Sequence, residues 1–141
     1  MDKKQKHLGL SNKDFKTLSK YLGYLADNMG LRDWTLIISH EEPDSKDAWA
    51  SVKPVYGRRS ATFFFSKDFR DVPLENQRAA CVHELLHCHL DNIDSLVVNE
   101  FRTALGEVFW NGWYPGFKLV LEHGIDAVAE AWAEKFPLIR W

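Results

Sequence analysis

The sequence predicts an α+β protein: an N-terminal helix, then a three- to four-stranded, mostly antiparallel sheet, then helices to the end. Three observations predict it. Residues 11–30 repeat apolar side chains every three or four positions. Residues 34–66 are rich in β-branched and aromatic side chains interrupted by polar turns. Residues 74–135 return to helical periodicity. A chain of 141 residues can bury one core, so a single domain over 1–141 is expected, with residues 1–10 as a tail.

The elements follow in order. In SNKDFKTLSKYLGYLADNMG (11–30), Ser11 is placed to cap the helix and Asp14 to complete a capping box. Phe15, Leu18, Leu22, Leu25 and Met29 form one stripe, and Gly30 suits the position just past the end. WTLIIS (34–39) reads as a strand, and EEPDSKD (41–47) as a turn. AWASVKPVYGRRSATFFFS (48–66) reads as two strands meeting near Gly57-Arg58, with Pro54 marking the first as an edge or interrupted strand. A helix over 74–91, entered through Asp71 and Pro73, is apolar nearly all round and so predicted to be buried. Residues 95–110 predict another helix, NGWYPG (111–116) a loop, and 118–135 a last helix ended by Pro137.

Composition narrows the partners. A net charge of −2 gives no electrostatic footprint for nucleic acid, and Lys3, Lys4 and Lys6 read as a solvated start. No apolar run approaches the roughly 20 residues of a membrane span, and residues 1–10 lack the apolar stretch of a secretory signal. Cys81 and Cys88 lie on one predicted helix, roughly 10 Å apart along its axis by helix rise. A disulfide cannot span that, so free thiols in a reducing compartment, the cytoplasm, are expected. Oligomeric state is not legible at this level.

The chemistry concentrates in HELLHCHLD (83–91). His83-Glu84-Leu85-Leu86-His87 fits H-E-x-x-H. Side chains four apart on a helix sit nearly above one another, so both imidazoles can reach one ion. Glu84 points about 100° around the helix from His83, close enough to serve as general base to a water that the metal acidifies. Two core histidines that happen to be four apart are the bland alternative. Buried imidazoles and a buried carboxylate still need partners.

Two histidines leave a zinc ion short of a ligand. Asp91 lies one turn beyond His87, where three ligands on successive turns converge poorly. Cys88 and His89 point away from the His83–His87 line, and either, like Asp91, would close the metal shell if it did bind. The last helix offers Glu122 and Asp126 at the edge of a stripe made by Ile125, Val128, Ala129, Trp132 and Phe136. Glu122 is the leading third ligand, with Asp126 as hydrogen-bond acceptor for a metal-bound histidine. Glu100, Glu107, Glu130 and His123 remain open alternatives.

With these residues in place, the chain resembles the gluzincin branch of the zincin metallopeptidases over roughly residues 34–135. Their pattern is H-E-x-x-H on one helix and E-x-x-x-D on a later one, here His83-Glu84-x-x-His87 and Glu122-x-x-x-Asp126. Size and element order are similar to the minimal zinc peptidases of bacteria and phages. The resemblance implies one Zn²⁺ held by His83, His87 and Glu122, Glu84 as general base, Asp126 behind the ligands, and a polypeptide substrate. It also implies that the strand before the metal helix, Ala61–Ser66 with Phe63, Phe64 and Phe65, pairs with the substrate backbone. Tyr114, His123 and His89 are candidate donors to the developing oxyanion, Tyr114 first because of its predicted loop. Trp110, Trp113 and Phe117 could line a groove or fill the core. Gly124 departs from a good helix former by about 1 kcal/mol against Ala. It predicts either close packing on the H-E-x-x-H helix or a later helix start. The expected activity is peptide hydrolysis. A non-catalytic zinc-stabilised binding protein and a hydrolase of non-peptide amides are the alternatives.

Overall fold

The computed structural model describes residues 9–55 and 57–141. The expected tail lies outside these residues except for Gly9 and Leu10, and Leu10 packs against the core. Helix α1 spans Asn12–Asn28. Its capping box is complete: the Asp14 N–H donates to Ser11 Oγ at 3.1 Å, and the Ser11 N–H to Asp14 Oδ2 at 2.9 Å. Leu18, Leu22, Leu25 and Met29 are buried as expected, while Phe15 is half-buried and stacks on His40. Gly30, at φ 76°, ends the helix in a conformation that other residues adopt at a cost.

Strands β1 (Thr35–Ile38), β2 (Ala50–Pro54) and β3 (Ser60–Phe65) form a three-stranded sheet among the described residues. Its order is β1-β3-β2, with β1 parallel and β2 antiparallel to β3. The sheet is therefore mixed, not mostly antiparallel. The reason lies in residues 39–49, a connection too long for a tight hairpin. It carries the chain past the neighbour position of β1, and β3 returns to fill it. Pro54 closes β2, an edge strand as the proline requires.

Helix α2 runs over Leu74–Leu96, longer than expected, and continues through a π-helical turn (Val97–Phe101) into α3 (Arg102–Leu105). Its middle is buried, as its apolar circumference demands: Cys81, Val82, Leu85 and Cys88 are all at most 1% exposed, whereas Leu74, Glu75 and Asn76 at its start are exposed. Both cysteines are free. Gln77, fully buried, donates to the carbonyls of Arg70 and Val72 and accepts from Trp141 Nε1 at 3.0 Å, tying the start of α2 to the C-terminal segment.

The break expected at 111–116 falls instead at Gly106, φ 77°, and α4 runs unbroken over Glu107–Ala133 with Pro115 inside it. Rings four residues apart support this stretch: Trp110 stacks on Tyr114 at 4.4 Å and Trp113 on Phe117 at 5.4 Å. The buried face of α4 is also displaced from the one expected. Ile125, Ala129 and Ala133 are buried, whereas Val128 and Trp132 are 43% and 37% exposed. That rotation keeps Glu122 on the side facing α2. Among the described residues, no helix is long and apolar enough to cross a membrane.

Candidate metal centre

The centre is built where α4 crosses α2. His83 Nε2 and His87 Nε2 stand 3.2 Å apart. Glu122 brings Oε2 to 3.4 Å from His83 Nε2 and Oε1 to 3.3 Å from His87 Nε2. One donor atom from each of the three lies within 4.8 Å of the others, so the group could hold a metal ion. The spacing has a physical meaning. Zinc ligands at roughly 2.0–2.1 Å in a tetrahedron stand about 3.3 Å from one another. Two imidazole nitrogens and a carboxylate so spaced fit the corners of such a shell, and one corner is left over.

The tautomers agree with this. His83 Nδ1 is 2.8 Å from Asp126 Oδ1, so Nδ1 carries the proton and Nε2 presents its lone pair. Burial lowers the pKa of His87, which favours the neutral imidazole a metal needs.

Glu84 lies beside the trio and is 9% exposed. Its pKa is pushed up to about 8, first by burial and then by the charges of Glu122 and Asp126, against a lowering hydrogen bond from the Val52 backbone. That bond identifies what the sequence did not disclose. Trp49 O accepts from the Ser66 N–H, and the Val55 N–H donates to Ser60 O, so alternation turns the backbone groups of Ala50 and Val52 away from β3. The outer edge of β2 therefore faces the site. Two cavities of about 440 and 330 Å³ flank the trio and share His83 and Glu84. Ala50 lines the first, Ser51 and Val52 the second.

The expectation that β3 pairs with substrate is corrected by this arrangement. β3 is central, bonded on both sides, so its backbone has no open edge. Phe63 and Phe65 are buried in the core, and Phe64 lies under Lys53 Nζ at 5.0 Å. Strand order depends on contacts distant in sequence, and no local pattern near 61–66 betrays it.

Tyr114 sits in α4, not in a loop. Its hydroxyl donates to Asp94 Oδ1 at 3.0 Å, and burial followed by that bond pushes its pKa up to about 12. It lines neither cavity beside the trio, whereas Asp94 and Lys118 line the second. Trp110 is buried and Trp113, tilted at 45° to it, is 38% exposed; Phe117, half-buried, stacks on Trp113, and none of the three lines either cavity beside the trio. Of the alternative ligands, Glu107 is engaged by Arg102 at 2.7 Å, and Glu100 and His123 are exposed outside the trio. Glu130 lines the first cavity beyond Asp126. Cys88 is buried, with Sγ directed at the Glu84 carbonyl, and His89 is exposed beside Gly30. Asp91 lines the second cavity with His83, His87 and Glu122 but is not one of the three converging donors. Gly124 neither starts the helix nor allows a close approach. A Cβ there would meet nothing within 4 Å among the described residues.

No family model, curated protein or solved structure matches this chain.

Proposed function

We propose that the protein is a zinc-dependent metallopeptidase of the zincin kind that hydrolyses a peptide bond in an extended polypeptide. The observation that carries this reading is the tetrahedral spacing of His83 Nε2, His87 Nε2 and the Glu122 carboxylate, with the Glu84 carboxyl beside them. These three side chains would hold the zinc, which would supply Lewis acidity towards a water and the substrate carbonyl. The rest falls to the chain. Glu84 takes the proton of the attacking water and returns it to the leaving amine. A carboxyl whose proton affinity is raised by burial and neighbouring carboxylates suits both halves of that transfer. Asp126 holds the His83 ring in one tautomer.

The substrate lies along β2. Its outward Ala50 and Val52 backbone groups offer strand pairing, and the two cavities accept side chains on either side of the scissile bond. Such pairing recognises any extended chain, which favours a polypeptide over a compact non-peptide amide. Two buried free thiols suit work in a reducing compartment.

The test is Glu84→Gln in the full chain loaded with zinc and assayed on an unstructured protein. The variant is expected to keep one zinc per chain and to lose hydrolysis. Wild-type hydrolysis in that variant removes Glu84 from its role. Failure of the zinc-loaded wild type to cleave any polypeptide overturns the peptidase reading.

A further inference from the structure

α4 carries its metal ligand on one face and something unexplained on the other. Between Val108 and Leu121 the sequence has a single charge, Lys118, whose Nζ turns to Asp94 at 3.6 Å. The outer face is left apolar and open: Val108 is 92% exposed, Val120 72%, Phe109 59% and Leu119 57%. Phe101, 47% exposed and 6.1 Å from the Trp113 ring, extends the patch onto the π-helical turn. The patch is on the order of 700 Å², above what a monomer usually leaves in water and close to what one partner buries in a standard interface.

Two glycines run through this face. Gly112 and Gly116 are exposed in the helix, and a Cβ on either would meet nothing within 4 Å among the described residues. Each weakens the helix relative to alanine, and nothing packed against them among the described residues explains them. With Val120 they follow one another at four-residue steps, which drift only about 40° each around the helix. The order Gly112, Gly116, Val120 is self-complementary on reversal. A two-fold axis at Gly116 sets each Val120 against the partner's Gly112. Every knob then meets a hole, and the two helix dipoles run in opposition.

We infer that the protein forms an isologous dimer, α4 against α4, centred on Gly116. A single patch that fits its own copy is what such symmetry requires. The rim favours a protein over a lipid surface, because the cations beside the face, Arg102 and Lys118, are paired with Glu107 and Asp94 where membrane binding needs free lysine and arginine. The inference is independent of the metal reading, since Glu122 and Asp126 face α2 and the site.

Sedimentation velocity on the full chain at tens of micromolar tests it, without zinc and with it. The wild type is expected to sediment as a dimer in both. Gly112→Val, which sets valine against Val120, is expected to weaken the dimer at least tenfold. The double variant Gly112→Val/Val120→Gly exchanges knob and hole and is expected to restore it. Far-UV circular dichroism on each variant reports folding separately. A monomeric wild type overturns the inference, as does Gly112→Val dimerising as tightly as wild type. A monomer that binds vesicles instead would assign the face to lipid and also overturn it.

Discussion

His83 Nδ1 and Asp126 Oδ1 stand 2.8 Å apart, joining the middle of α2 to the last third of α4. The contact orients a ring whose other nitrogen faces His87 and Glu122. On the proposed zinc reading Asp126 is a positioning residue. Its replacement by Ala is expected to lower zinc affinity by about 10–100-fold. Asp126→Asn, which keeps an acceptor oxygen, should lose less. Competition with a chelator measures both, and equal affinity across the three proteins would detach Asp126 from the site.

Glu122 and Glu130 are two turns apart on α4, yet only Glu122 reaches the imidazoles. Glu122→Ala is expected to abolish stoichiometric zinc binding, and Glu130→Ala to leave one zinc per chain. Metal analysis after gel filtration decides between them. Retained zinc in Glu122→Ala would move the third ligand elsewhere.

The metal-free protein should lose stability as pH rises. Burial, with Glu122 and Asp126 adding to it, raises the Glu84 pKa from 4.5 to about 8, so the folded state holds a proton that the unfolded state releases above about 4.5. The contribution is fully present below about pH 4.5 and is lost progressively as pH approaches 8. Glu84→Gln has no such proton, so its stability should fall less over that window and exceed the wild type's at pH 8–9. Urea melts with chelator present, at about pH 5.5 and pH 8.5, test the sign.

Trp141 Nε1 donates to the buried Gln77 Oε1 at 3.0 Å, and its ring meets Phe69 edge-on and lies beneath Arg70. Trp141→Phe keeps an aromatic ring and removes the N–H. It is expected to cost about 1–3 kcal/mol by leaving that carbonyl unsatisfied in the core. Denaturant melts showing no change would mean the amide finds another partner.

The parts of the site that were legible share one property: their geometry is local. His83 and His87 are four apart on a helix, so the helical repeat alone puts them on one face, with Glu84 beside them. The capping box at Ser11 and Asp14 and the proline-marked edge of β2 were legible for the same reason. Helix α4 was only half legible. Its glycines and Pro115 argue for a loop by propensity, and stacked rings four apart prevail over them. Its buried face could be estimated by periodicity only to within a fraction of a turn, which left several acids as possible ligands. Packing against α2 set the rotation that brings the Glu122 carboxylate to both imidazoles.

Two further matters were decided by tertiary structure alone. The place of β3 in the middle of the sheet, and so the exposure of β2 to the site, follows from a crossover that leaves no trace in any short stretch. The purpose of Gly124 was likewise not readable from its neighbours in sequence. In the fold it lies inside α4 and lines an apolar cavity with Leu86, His89 and Leu90 of α2, where a Cβ would meet nothing within 4 Å among the described residues. Local spacing determines which side chains can act together on one element. Only the packing of distant segments, driven by burial of their apolar faces, decides which elements meet.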